Sequence, residues 1–441
     1  MTEELIRELS KVEALTIIAQ NSTRQYAGIT KPFSEIAREL NDVNYIVDGN
    51  VLLEGENIRT EIRLIDPAEE NVLWEQEYED EVTNSRQLWA QVAQDIVDVI
   101  GVFVPEENTG LWTGIQPVDQ ENYALYLKGM HAIEKSPPDI DAGISYFNQA
   151  IDKNPADAYA WAALANAYIT YGHSPSPTKD VRQKANAAAL RAIQLDSTLA
   201  QAWSALAMVK AYYEWEWEAA EQAYHKANEL NPSLPSNHYH YSWYLVLFGR
   251  MNEAIREHKL AQELDPFWWE HTAWLANIYI TVGEYEKAMK EAERVIDMGY
   301  EAFGKGMLAN CYFRMGRENE AIEISEQIVA DFGVPKESLV QPYIKVGRIE
   351  EAREIFKEIE AKFDSIPSPI EALGRAHMYA AFGDYDNAFK WFNFEPHMHW
   401  VPWVRGIEDS LFAKDPRFKA LMRKMNLPDP APFQYDPDLE L

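Results

Sequence analysis

The sequence predicts a mostly α protein: a small N-terminal α+β domain followed by an α-α superhelical solenoid of about eight repeated helical hairpins. Three observations predict it. Glycines recur at positions 249, 283, 316, 347 and 383, spaced 34, 33, 31 and 36 residues apart. An alanine follows each one five residues later, at Ala254, Ala288, Ala321, Ala352 and Ala388. The first hundred residues lack this spacing and alternate apolar and polar side chains around a Gly55-Glu56-Asn57 turn.

Residues 1–110 form the first domain in this reading. "MTEELIRELS" is an acidic amphipathic helix, "ALTIIAQ" a candidate buried strand, and "FSEIAREL" a one-sided helix. "NYIVDGNVLLEGENIRTEIRLID" reads as a β-hairpin, "NVLWEQEYED" as a third strand and "LWAQVAQDIVDVI" as an amphipathic helix. A linker covers 111–121.

The repeats occupy 122–393. "GRMNEAIREHKLAQELDP", "GEYEKAMKEAERVI", "GRENEAIEISEQIV", "GRIEEAREIFKEIE" and "GDYDNAFKWFNF" align on their first glycine. That glycine takes the left-handed conformation that ends one helix, and the alanine lets the next helix approach closely. The Asn154-Pro155, Asn231-Pro232 and Asp265-Pro266 steps stop the second helix, because proline cannot continue it. One hairpin cannot bury its own apolar face, so neighbours stack. Unit one runs from about Tyr123 to Asp157, unit two from Ala158 to about Leu199 with an insertion, and unit three from Ala200 to Leu234 with a degenerate turn, "YYEWEWEAAE". Units four to six are regular to about Phe332, the seventh has a clipped first helix, and the eighth starts near Pro369. A C-terminal cap follows over 394–428, with "DPRFKALMRKM" as a helix N-capped by Asp415, and a disordered Pro- and Asp-rich tail over 429–441. The clusters at Phe267–Trp269 and Trp400–Trp403 read as inter-repeat and cap packing.

A pentapeptide is written three times: "LANAY" at Leu164–Tyr168, "LANIY" at Leu275–Tyr279 and "LANCY" at Leu308–Tyr312. Leucine and tyrosine lie four apart, on one helix face, and packing explains them together with the alanine. The central asparagine is turned off that face and is left unexplained by packing.

These glycines, alanines and pentapeptides resemble tetratricopeptide (TPR) repeats, whose unit is ~34 residues. The resemblance implies that the first helix of each unit lines an inner groove, where asparagine at the pentapeptide's centre bonds the main chain of an extended ligand. Carried over, it implicates Asn166, Asn277 and Asn310. An amide both donates and accepts, which suits peptide backbone of any sequence. The same column holds Met208, Trp243 and His377, and one turn away stand Tyr159, Tyr239, Phe303 and Phe313, with Arg314 as the groove cation for a carboxylate. The competing reading is that these amides bond neighbouring helices across the array. The pieces "LSKVEALTIIAQNST", "IARELNDVNYIVDGNV", "IRTEIRLIDPAEENVLWEQEYE" and "QVAQDIVDVI" resemble the TolB N-terminal-like (FlgO-like) domain that precedes such arrays in many bacterial signalling proteins. There the pair forms the sensing, usually extracytoplasmic, half of a receptor with a winged-helix or cyclase domain. Such a domain normally opens with a further strand, which this sequence lacks.

Composition narrows the partners. The net charge of −31, with 8 basic against 23 acidic residues in 1–115, argues against nucleic-acid and anionic-membrane surfaces, which need clustered lysine and arginine. A single cysteine, Cys311, excludes an intramolecular disulfide framework and a cysteine-based zinc site, and is read as a small buried thiol. No signal core and no stretch of ~18 apolar residues stands in the sequence, so the expectation is a cytoplasmic protein without membrane insertion, or a periplasmic one if it is part of an anchored receptor. No P-loop, G-x-S-x-G, H-E-x-x-H or dinucleotide fingerprint occurs. His238 and His240 are two apart on a helix and point to different sides, while His397 and His399 in "PHMHW" find no obvious third ligand. The function expected is therefore a non-enzymatic scaffold, with no cofactor and no metal, that binds a protein or peptide in its groove. The alternative is the sensor half of a signalling receptor or transcriptional regulator.

Overall fold

Glycines with positive φ close the hairpins. In the computed structural model, Gly249, Gly283, Gly316, Gly347 and Gly383 have φ of 73°, 85°, 75°, 81° and 77°, and the five alanines that follow them are fully buried between helices. The structure describes residues 2–102, 112, 118–133, 135, 138–172, 180–361, 369–393, 414–428, 434–437 and 439.

The first domain comprises α1 (Thr2–Leu9), α2 (Gln20–Thr23), α3 (Phe33–Glu39), β1 (Ile46–Glu54), β2 (Asn57–Asp66), β3 (Asn71–Glu81) and α4 (Ser85–Ile100). The three strands form one antiparallel sheet in the order β1-β2-β3. Glu54 pairs with Asn57 across the tight turn, and a register shift at Leu64/Ile65 bends the second pairing. Ile58, Ile62 and Leu64 alternate along β2 and share a core with Leu5 and Leu9 of α1 and with Leu88, Trp89, Val92 and Ile96 of α4. "ALTIIAQ" is not a strand of this sheet: the apolar run is real, but it crosses to the solenoid, as described below.

Eight helical hairpins follow among the described residues: α5 (Gln120–Ile133) with α6 (Ile140–Lys153), α7 (Ala158–Gly172) with α8 (Val181–Leu195), α9 (Ala200–Val209) with α10 (Trp217–Leu230), α11 (Pro235–Leu247) with α12 (Met251–Leu264), α13 (Trp269–Val282) with α14 (Tyr285–Asp297), α15 (Glu301–Arg314) with α16 (Glu318–Phe332), α17 (Val340–Lys345) with α18 (Ile349–Glu360), and α19 (Pro369–Ala381) with α20 (Tyr385–Phe392). The degenerate third turn has a specific geometry. Helix α9 runs into a π-helical turn at Lys210–Glu214. Trp215, 34 residues before Gly249, then takes the glycine's left-handed conformation at φ 54°, a geometry that costs a residue with a Cβ about 1–2 kcal/mol. Its burial in the main core offsets that cost.

Helix α21 (Pro416–Lys424) is N-capped by Asp415, whose side chain accepts the Arg417 N–H at 2.9 Å. Its Phe418, Leu421 and Met422 share a core with Phe389 and Phe392 of α20. The Pro- and Asp-rich tail was expected to be disordered, yet Gln434–Asp436 are held in place. The Gln434 N–H donates to the Gly249 carbonyl at 2.8 Å and the Met251 N–H donates to the Gln434 carbonyl at 3.2 Å.

The alanine ladder yields a test. Ala288 is fully buried where α14 meets its neighbour, so Ala288→Leu forces three extra carbons into a filled space. We expect a loss of about 1–3 kcal/mol, read as a lowered midpoint in urea. An unchanged midpoint would mean that the alanine is not a packing constraint.

Candidate functional site

The helical repeat places Asn166, Asn277 and Asn310 on the first helices of their units, all half-buried. Asn277 Nδ2 donates to the Ala273 carbonyl at 3.2 Å, within its own helix. Among the described residues the amides of Asn166 and Asn310 make no side-chain hydrogen bond, and none of the three reaches a neighbouring helix. Their backbone carbonyls are engaged, accepting the hydroxyls of Thr170 and Thr281 in two of the three cases.

The remaining predicted groove residues separate into different surroundings. Trp243 is only 8% exposed and packs edge-on against Tyr212 at 4.8 Å, so it is interior rather than open groove. Tyr212 in turn bonds His240 Nδ1 at 2.6 Å. Tyr239 packs among His240, His258 and His271 with ring centroids 4.9–5.5 Å away. Burial, with Glu270 adding to it, pushes its hydroxyl well above the usual tyrosine range. Phe313 lies under the Lys345 ammonium at 4.9 Å. Burial and the Arg314 guanidinium lower the Lys345 ammonium, so Arg314 has a second cation beside it. Phe303 is 58% exposed and touches Trp269 at 4.8 Å, and Trp269 stacks on Tyr300 at 4.4 Å.

Tyr159 is not open to a ligand, because the first domain covers it. The guanidinium groups of Arg7 and Arg86 stand 4.3 and 4.1 Å from its ring centroid. Arg86 also reaches Asp157 at 3.3 Å, and Asp157 accepts Asn122 Nδ2 at 2.8 Å and the Tyr159 N–H at 3.1 Å. Glu4 pairs with Arg7 in the same interface. Burial raises the Glu4 carboxyl, but Arg7 and then Arg86 outweigh it and hold it below the usual carboxylate range.

From there residues 15–22 run along the rim made by the loops between units. The Ser233 hydroxyl donates to the Leu15 carbonyl and accepts the Ile17 N–H, both at 3.2 Å. The Ala19 N–H donates to the Leu264 carbonyl at 2.7 Å. In three other loops the side chain of Asn154, Asp196 or Asn231 accepts the N–H two residues on, at 3.1, 2.9 and 2.9 Å. At Asp265 the buried Ser22 hydroxyl is inserted into that turn. It accepts the Phe267 N–H at 3.0 Å and donates to the Asp265 carboxylate at 2.5 Å. Burial raises the Asp265 carboxyl against the pull of Ser22 and Asn21.

Sequence reasoning also missed a ladder on this rim. Trp161, Trp203 and His238 each place a ring nitrogen on the carbonyl six residues earlier, at 3.0, 2.8 and 2.8 Å, and His271 bonds Asp265 in the same way. The signal was a ring N–H recurring six residues after each loop. His258 bonds Ser242 Oγ and the His271 carbonyl. Burial pushes His258 down to about 4, and burial with His258 beside it pushes His271 down to about 3.

The opposite rim, made by the turns inside units, is bound by Met425, Asn426 and residues 434–436. Trp217 Nε1 donates to the Met425 carbonyl at 2.8 Å, and Asn252 exchanges hydrogen bonds with the Asp436 backbone at 3.0 and 2.9 Å. The Tyr435 hydroxyl donates to Glu284 at 3.0 Å. Among the described residues no group of three histidine, cysteine, aspartate or glutamate side chains could hold a metal. His397, His399 and the Trp400–Trp403 cluster lie outside the described residues. No described helix is long and apolar enough to cross a membrane.

The fold and this site define a helical-repeat scaffold whose described surfaces run along the array of hairpins. A family model described as Tetratricopeptide repeat matches residues 273–298, within unit five, and the repeated hairpins around it form a TPR-like helical solenoid. It is similar to the putative adenylate cyclase 3 of Rhizobium meliloti, with 30% identity over 133 residues, which is 30% of this chain and 22% of that protein. It is also similar to the transcriptional regulator HilA of Salmonella typhimurium, with 25% identity over 175 residues, 39% of this chain and 31% of HilA. The chain thus spans less than a third of the curated relatives it matches. Among solved structures it is similar to a tetratricopeptide repeat protein from Parabacteroides merdae, with 13% identity, a TM-score of 0.38, and coverage of 70% of this chain and 100% of that one.

Proposed function

We propose that the chain is a non-enzymatic interaction protein that binds an extended segment of another protein along its concave face. The observation that carries this reading is the asparagine column. Asn166 and Asn310 are held half-buried on rigid helices with amides that no described side chain or backbone group engages, and an amide in that state suits main-chain recognition. Arg314 and Lys345 add positive charge at one end of the column, where an acidic group of the ligand fits.

The test is affinity capture from native lysate with mass spectrometry, comparing the wild type with Asn166→Ala/Asn277→Ala/Asn310→Ala. The variant is first shown to have unchanged helical circular dichroism and melting. A partner retained equally by the variant would remove the asparagines from recognition. A second reading makes this chain the sensory part of a longer regulator, and the two relatives named above favour it, with the first domain as a TolB N-terminal-like module. Immunoblotting of source cells decides it, since a native species at 50.7 kDa would count against it.

A further inference from the structure

We propose that the rim between units, beyond Asp265, is a second docking surface for an extended segment of a partner protein with apolar anchors and basic flanks. This surface is separate from the asparagine column. Its neighbouring stretch is already a seat for chain from outside the array: Ser233 and Leu264 bond the main chain of Leu15, Ile17 and Ala19, which is not helical, and Asp265 takes the Ser22 hydroxyl from the short helix α2. That segment leaves the rim at Tyr26, whose ring meets Phe267 edge-on at 6.5 Å.

The rim continues past that point with rings that the fold leaves uncovered. Phe267 and Trp268 are 40% exposed, Tyr300 is 41% exposed and Phe303 is exposed further still. Trp269, Tyr300 and Phe303 are already locked against one another, so their rotamers need little ordering on binding. Exposed, pre-ordered aromatic rings are the residues that dominate binding energies at protein interfaces. Carboxylates flank them: Glu270 and Glu301 lie in the first turns of α13 and α15, where a lysine or arginine beside the anchor is favoured. The continuity with a rim that takes the non-helical main chain of residues 15–19 at Ser233 and Leu264 selects a chain segment as the occupant.

The experiment is panning of a random 12-residue peptide library against the full chain, followed by fluorescence anisotropy of the enriched peptides. Two variants are compared: Trp268→Ser/Phe303→Ser, whose side chains are exposed enough to change without unfolding, and the triple asparagine variant. Trp268→Phe keeps a ring at the rim and serves as the conservative control. We expect peptides that combine aromatic or aliphatic residues with lysine or arginine. Their affinity should fall at least about tenfold on the serine variant, persist on Trp268→Phe and on the triple asparagine variant, and weaken with salt. Four results overturn the proposal: enrichment of acidic peptides, binding lost on the asparagine variant and kept on the serine variant, no peptide whose binding depends on the rim, or a concentration-dependent dimer in sedimentation that the serine substitutions abolish, which would assign the rings to a second copy.

Discussion

Asp157→Ala is expected to destabilise the protein by about 3–5 kcal/mol. Asp157 is almost completely buried where the first domain meets unit two, and its carboxylate serves four neighbours: Arg86, the Asn122 amide and the N–H groups of Tyr159 and Ala160. Alanine removes the cap of α7, a loss of about 1 kcal/mol. It also leaves the buried Arg86 guanidinium without its carboxylate, which is the larger part. Asp157→Asn keeps an acceptor for the backbone N–H groups and is expected to recover only the capping part. The measurement is urea unfolding followed by tryptophan fluorescence. A loss under 1 kcal/mol for alanine would show that Arg86 finds water or another partner, and that the two domains do not depend on this contact.

Acidification is expected to weaken the middle of the solenoid before the carboxylates titrate. His258 and His271 titrate at about 4 and about 3 in the folded chain, both below the ~6.5 of an unfolded histidine. Above pH 6.5 both rings are neutral in either state, so the stability is fully present there. As pH falls through 6.5, the unfolded chain takes up protons that the folded chain refuses. Stability is then lost progressively until the folded rings themselves titrate. At pH 5 each histidine has opened a gap of roughly 1.5 pH units, about 2 kcal/mol, and the pair about 4 kcal/mol. Urea midpoints at pH 7 and pH 5 measure this loss, and His258→Gln is expected to flatten about half of it. A midpoint that holds steady across that window in the wild type would mean the two rings are solvated.

The hairpins were legible because their signals are local and periodic. A glycine that must adopt positive φ and an alanine that must vanish between helices recur at fixed spacing, and both kept their expected roles. Trp215 shows how far such signals reach: only the register identifies it as the residue in the glycine's place. "ALTIIAQ" was misread because a short apolar run has the same appearance in a buried strand as in a segment laid across a distant surface. Nothing near Ser22 announces Asp265, 243 residues away, so that contact had no local signal to read. Tyr159 and Trp243 fell outside the open groove for a related reason. A column fixes which face a side chain occupies but not what else lies on that face, and Tyr159 shares its face with Arg7 and Arg86.

The two laced rims bear on how the molecule is made. An array in which each unit touches only its neighbours assembles as it is synthesised, each new hairpin settling on the last. Here residues 15–22 emerge from the ribosome long before Ser233 and Asp265 exist to receive them. Asn252 in turn waits for Asp436, 184 residues downstream. The middle units are therefore completed in two separate steps, one when Ser233 and Asp265 reach residues 15–22 that were made before them, the other when Asp436 reaches an Asn252 already in place.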